Sequence, residues 1–179
     1  MKAADLPLLT TVGPPAADPS GLRVVVAVTH PDLDADATVG QLWSVPLDGA
    51  APRRITRGFR DTSPRFSPDG RLLAFLRAAK GEPAQLQVMD AEGGEPVKVT
   101  DRTLGVDAFA WSPDSQRLAF TAAVAEQGRY DTVEGIAPGA EPPRRITSVR
   151  YKQNGKGYVD DQRTHVFVVA VPDPGAEPV

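Results

Sequence analysis

Two histidines, His30 and His165, are the side chains best suited to proton transfer or metal ligation at neutral pH. His30 precedes Pro31 at the end of an apolar run, and His165 opens the run Val166-Phe167-Val168-Val169. Neither has a second His, a Cys or a spaced carboxylate set beside it, so both are taken as strand-end histidines and no metal site is assigned. Asp32-x-Asp34-x-Asp36 has the alternating carboxylates with which a calcium loop begins. It lacks the glycine at the sixth position and the glutamate at the twelfth, and is expected to be a solvated loop.

Arg144, Arg145, Arg150, Lys152 and Lys156 follow one another with no acid between them. Such a stretch suits peptide carboxylates or phosphate, and it is the candidate peptide-facing surface of the chain; alternating basic residues also make the wet face of a strand. Asp160 and Asp161 come next and are placed to neutralise it. Asn154-Gly155-Lys156-Gly157 is not a phosphate loop, because the glycine spacing and the residue after the lysine differ from that motif. No Gly-x-Ser-x-Gly nucleophile elbow occurs, and there is no cysteine. Catalytic, cofactor-binding and metal residues are therefore assigned to none of the 179 positions.

Charge is balanced, with 20 basic and 23 acidic residues and a net charge of −3, which speaks against nucleic acid as a partner. The amino-terminal residues Met1 to Pro7 carry an acid and a proline where a signal peptide needs an apolar core. The longest apolar runs, Val24 to Val28 and Val166 to Val171, are far shorter than a membrane span. With no cysteine to oxidise, the expectation is a cytoplasmic protein away from membranes.

The elements that must position these residues announce themselves by repetition. Ser67-Pro68-Asp69-Gly70 returns as Ser112-Pro113-Asp114-Ser115, and Leu73-Ala74-Phe75 as Leu118-Ala119-Phe120, 45 residues on. Asp18-Pro19-Ser20-Gly21 is a degenerate copy. A second marker, Pro52-Arg53-Arg54-Ile55-Thr56, recurs as Pro96-Val97-Lys98-Val99-Thr100 and as Pro143-Arg144-Arg145-Ile146-Thr147, at spacings of 44 and 47. Ser-Pro-Asp-Gly is turn chemistry, in which proline presets φ, aspartate bonds nearby amides and glycine accepts positive φ. The run Leu72 to Leu76 is apolar without alternation, so a strand buried on both faces is expected there. Short strands at this period fit a β-propeller of four-stranded blades. An ordinary sandwich or barrel would leave the two periods unexplained. Trp43, Phe66, Phe75, Trp111 and Phe120 recur at matching or nearby positions and are expected in the core between blades.

The fold class expected is all-β, a partial propeller of about three and a half blades. The blades are placed at approximately 18–57, 63–101, 108–147 and, incomplete, 150–179. The third is irregular, with only a weak strand between Ala125 and Pro142. The fourth opens with Arg150-Tyr151-Lys152, turns at Asn154-Gly155 and continues to the strand from His165 to Val169. Gly175-Ala176-Glu177-Pro178-Val179 aligns with Gly93-Gly94-Glu95-Pro96-Val97, which implies a fragment that stops one residue into a strand.

Leu42-Trp43, Arg53 to Gly58, Ser63 to Gly70, Phe109 to Asp114, Tyr151 to Asp161 and His165 to Val169 form an ordered set. Together they resemble the N-terminal propeller of the prolyl oligopeptidase family of serine peptidases, in particular its acylaminoacyl-peptidase-like branch. The resemblance implies a propeller of about seven blades over an α/β-hydrolase domain with a Ser-Asp-His triad, the propeller admitting only short or unfolded peptides. That domain and its triad are absent from these residues, so the chain alone is expected to be inactive while its parent hydrolyses peptides. Glu126 and Glu134 are not adjacent, and the amine-anchoring role of paired glutamates in the dipeptidyl branch is not carried over to them. The expected partners are peptide substrates of the parent and further copies of the chain, the latter through exposed blade edges. The alternative is a non-enzymatic binding propeller similar to periplasmic translocation propellers.

Overall fold

The computed structural model describes residues 2–136, 140–154 and 157–172. Apart from a 3-10 turn at Ala3–Leu8, its regular structure is all β. β1 (Thr11–Val12) and β2 (Ala16–Ala17) lie along one edge of β3 (Arg23–Asp32). β3 pairs antiparallel with β4 (Ala37–Pro46), and β4 with β5 (Arg53–Arg54). β6 (Arg60–Phe66), β7 (Leu72–Ala78), β8 (Gln85–Asp90) and β9 (Val97–Lys98) make a second antiparallel meander, joined to the first by one parallel bridge from Gly40 to Arg60. β10 (Ala108–Trp111) and β11 (Arg117–Ala125) begin a third sheet. β12 (Lys152–Gln153) and β13 (Gly157–Tyr158) are a small separate hairpin, after which β14 (Gln162–Ala170) pairs along the whole of β11.

The recurring turn is one hydrogen-bond circuit built twice. The Ser67 hydroxyl donates to Asp69 at 2.6 Å and accepts from the Leu72 amide at 3.0 Å, while Asp69 accepts from the Arg71 amide at 3.1 Å. Ser112, Asp114, Arg117 and Gln116 repeat these contacts one unit on. Gly70 sits at φ 75°, and Ser115 takes the same left-handed conformation at φ 60°. In the degenerate first copy Asp18 replaces the serine, and its main chain keeps the turn with Gly21 N bonded to Asp18 O at 2.8 Å. The second marker also has a defined role. Thr56 Oγ1 accepts from the Leu42 amide and Thr100 Oγ1 from the Leu86 amide, both at 2.9 Å, which carries the ladder past the end of each outer strand.

β7 is the element that unites the sheets. Its alternation sends Leu73 and Phe75 to one face, where they pack with Val25, Ala27, Leu42 and Met89. Ala74 and Leu76 go to the other face and meet Phe109, Leu118 and Phe120 of the third sheet. Leu73, Ala74 and Phe75 are all 0% exposed, as expected for a strand apolar on both faces. Burial of each Leu or Phe contributes about 1.5–3 kcal/mol, so stacking of sheets is the main source of stability. Phe75 and Phe120 are core residues as expected, whereas Phe66 and Trp111 are only partly buried at its margin.

Three expectations are corrected. The strand through His165 belongs to the third sheet and opens no fourth one: Phe167 faces Phe120, and Val169 faces Leu118, across the β11–β14 ladder. Pro143 to Thr147 is not an outer strand, because the strand it would have to pair with comes after it in the chain; Ile146 is 50% exposed there. Residues 126–161 are instead an insertion between two paired strands, and 150–161 are part of it. No strand is found between Ala125 and Pro142 among the described residues. The first sheet also has an inner edge ahead of its turn, β1 and β2, split by Pro14-Pro15 because proline cannot donate to a ladder. The alignment of Gly175 to Val179 lies outside the described residues.

Candidate functional site

The insertion starts at Glu126 and ends at Asp161, and the Glu126 amide bonds to the Asp161 carbonyl at 2.8 Å. Register brings those ends together, since Ala125 and Gln162 are partners in the ladder. The two carboxylates therefore stand at the neck of the insertion, where they meet its arginines. Arg144 Nε donates to Asp161 Oδ2 at 2.6 Å, and Arg144 NH2 to Glu141 Oε2 at 2.8 Å. Arg129 donates to Glu126 at 3.0 Å and to the Pro142 carbonyl at 2.8 Å, with Asp161 at 3.6 Å. Arg129 and Asp161 are 5% and 7% exposed, so these charges are desolvated and depend on one another.

Aromatic rings complete the neck. The Arg144 guanidinium lies 4.2 Å from the Tyr158 ring centre and 5.9 Å from that of Tyr130. Tyr130 donates its hydroxyl to Asp161 at 2.9 Å, and burial together with that bond pushes its phenol above the ordinary range. The Tyr130 amide, donating to Glu141 at 3.0 Å, holds that carboxyl below its ordinary value, with Arg144 adding to the effect. Arg144 itself is raised, first by its bond to Asp161. Tyr130 and Asp131 both adopt positive φ, 51° and 57°, a local cost the network has to hold in place. A groove of about 300 Å³ opens beside the network, walled by Arg144, Arg145, Ile146, Tyr151, Tyr158 and Asp160. A larger, more open hollow of about 600 Å³ at the rim of the second sheet is lined by Arg77, Glu82, Gln85, Lys98 and Arg102.

The basic stretch is thus divided. Arg144 is consumed by Asp161 and Glu141, and Arg145 lines the groove with no ion pair among the described residues. Lys152 lies over the Tyr158 ring at 5.1 Å, Arg150 is exposed, and Lys156 lies outside the described residues. His165 is exposed within β14, 6.4 Å from the Phe167 ring, and His30 stands opposite Val39 in β3. The Asp32 carboxylate accepts from the Asp34 and Ala35 amides at 3.0 and 2.9 Å, which makes the acidic loop a tight hairpin turn. Glu141, Tyr130 and Arg129 were not singled out by sequence; the only local signal was Asp160-Asp161 after a basic run. A second buried pair, Asp61 with Arg77, was missed altogether.

Stacked antiparallel sheets with recurring inner-strand turns define this as a β-propeller region. It is related to the N-terminal propellers of acylaminoacyl and dipeptidyl peptidases of the prolyl oligopeptidase family. No family model matches the chain. It is 31% identical over 170 residues to the uncharacterized peptidase YuxL of Bacillus subtilis, covering 94% of this chain and 26% of that protein. It is 30% identical over 115 residues to dipeptidyl-peptidase 5 of Porphyromonas endodontalis, covering 64% of this chain and 16% of the other. Among solved structures, the acylaminoacyl peptidase of Pyrococcus horikoshii superposes with a TM-score of 0.69 at 20% identity, over 92% of this chain and 24% of its own. The β-propeller domain of the trilobed protease of Pyrococcus furiosus gives a TM-score of 0.52 at 24% identity, over 63% of this chain and 34% of its own.

Proposed function

We propose that this chain is the non-catalytic propeller part of a serine peptidase that hydrolyses short or N-acylated peptides, and that its role is to restrict which peptides arrive at the catalytic domain. The observation that carries this is the 31% identity to a peptidase over 94% of the chain. The 179 residues themselves hold no Gly-x-Ser-x-Gly elbow. On this view the three sheets are blades, the third of them interrupted. The 126–161 insertion is the selective element, because it is held rigidly at its neck by buried ion pairs and presents Arg145, Tyr151 and Asp160 on a groove.

The purified chain is expected to give no turnover of chromogenic acyl-amino-acid or ester substrates. Turnover that a serine-directed inhibitor abolishes would overturn the proposal. In the whole peptidase, shortening the insertion is expected to admit longer peptides while leaving hydrolysis of the shortest ones unchanged. An unaltered length profile would remove the insertion from the selective role.

A further inference from the structure

Three arginines line the insertion groove, and their charges meet different fates. Arg129 is neutralised by Glu126 and Asp161, and Arg144 by Asp161 and Glu141. The Arg145 side chain makes no hydrogen bond, ion pair or ring contact among the described residues, and it is exposed. A guanidinium carries five donors in a planar fork that matches a carboxylate, and here none of the five has a protein partner. Lys152, with its ammonium 5.1 Å from the Tyr158 ring centre, adds a second positive charge nearby.

The rest of the groove is apolar and already in place. Ile146 is 50% exposed and Tyr151 37% exposed, and the Tyr151 and Tyr158 rings stand 6.3 Å apart at 34°. Arg144 lies 4.2 Å from the Tyr158 ring centre and is itself fixed by Asp161, so this wall needs little ordering when a ligand arrives. Asp160 also lines the groove, where it accepts only a long hydrogen bond of 3.4 Å from the Ser148 hydroxyl. It keeps lone pairs for an amide donor. A peptide complements all three features at once, with a carboxylate, an apolar side chain and a main-chain N–H. The volume, about 300 Å³, is at the small end of ligand pockets and suits one or two residues. A phosphate dianion fits less well, because Asp160 repels its second charge.

We infer that the groove binds a carboxylate-bearing peptide, the carboxylate on Arg145, an apolar side chain against Tyr151 and Ile146, and a peptide N–H donated to Asp160. This rests on the reading of the insertion as the selective element, and it adds a preference for charge to the one for length. The carboxylate comes from the end of a peptide or from an acidic side chain, which present the same two oxygens. Arg144 is a positioning residue, holding Tyr158 and Asp161, while Arg145 beside it takes the ligand.

Calorimetric titration of the chain with acetyl-Ala-Phe, with its C-terminal amide and with acetyl-Phe-Glu-amide tests this. The free acid is expected to bind about 10-fold more tightly than its amide. Tighter binding of either carboxylate peptide than of the amide supports the site, and the tighter of the two names the source. Arg145→Gln, at an exposed position, is expected to bring the acid down to the level of the amide and leave the amide unchanged. Arg145→Lys recovers only part of the loss, since an ammonium lacks the fork. Tyr151→Ala weakens acid and amide alike. Arg150→Gln, exposed and outside the groove, leaves every affinity as it was. Equal binding of acid and amide, indifference to Arg145→Gln, an equal loss from Arg150→Gln, or tighter binding of inorganic phosphate than of the acid overturns the inference. These titrations need no turnover, so they can fail while the length profile of the whole peptidase holds, and the reverse.

Discussion

Asp61 and Arg77 face each other across β6 and β7 and are joined by two parallel hydrogen bonds of 2.7 and 2.9 Å. Asp61 is 0% exposed, and its remaining oxygen capacity is met by the Gly58 amide at 3.2 Å. A side chain at position 58 would collide with both partners, so the glycine is required by close approach. Arg77 is raised above its ordinary range, first by its bonds to Asp61.

Removing the cation alone should therefore be costly. Arg77→Met is expected to destabilise by about 3 kcal/mol, because it strands a buried carboxylate, and to lower Tm by about 10 °C. Adding Asp61→Leu should recover part of the loss, since the charge left behind is then gone. Thermal melts of the two variants decide it, and equal melting points for single and double variants would refute the pairing.

Thr56 and Thr100 do the same job one repeat apart, which allows a paired test. Thr→Val at either position keeps the shape and leaves a buried amide, Leu42 or Leu86, without its acceptor. Each is expected to cost about 1–3 kcal/mol, and the double variant the sum, because the sites share no partner. Urea unfolding of the three variants measures this directly.

Trp111 ties the third sheet to the second by donating from Nε1 to the Arg65 carbonyl at 3.1 Å. Trp111→Phe removes that donor and is expected to cost about 1 kcal/mol. Faster amide exchange should appear in β10 and around Arg65 before the centre of β7 is affected.

Acid should weaken the fold through its turns. The Ser67 hydroxyl holds the Asp69 carboxyl below its ordinary value, the Ser112 hydroxyl does so for Asp114, and the Tyr130 amide for Glu141. A carboxyl whose folded pKa lies below its unfolded one stabilises the fold above the unfolded value, and the contribution disappears as pH falls through the folded one. Tm is thus expected to be flat from about pH 7 to 5 and to fall below about pH 4. Asp69→Asn with Asp114→Asn should make that acid limb shallower; an unchanged limb would assign it to other groups.

The parts of the fold legible in sequence are those made by local hydrogen bonds. Ser67, Asp69 and Gly70 close their turn within a few residues, and Thr56 reaches back along one hairpin, so each leaves a mark that recurs. The third sheet was misplaced because its pairing is remote: β14 follows a 36-residue interval from 126 to 161, and Pro143 to Thr147 imitated the outer-strand marker at nearly the right spacing. Asp61 and Arg77 were invisible for a related reason. Their alignment depends on an irregularity between Thr62 and Arg65, where Ser63 takes φ 55°, and no residue pattern announces that offset. At the candidate site the basic run is visible, but its division into Arg144, paired, and Arg145, without an ion pair among the described residues, depends on where Asp161 is delivered by β14.

Because Ala125 and Gln162 are register partners, the chain leaves the third sheet and rejoins it at a single point. Everything between them, the β12–β13 hairpin included, is a cassette: a two-residue turn in its place would leave β11 and β14 an ordinary hairpin and disturb no strand of the three sheets. A change of length or content at this position therefore leaves the ladder of the sheet that carries it in register.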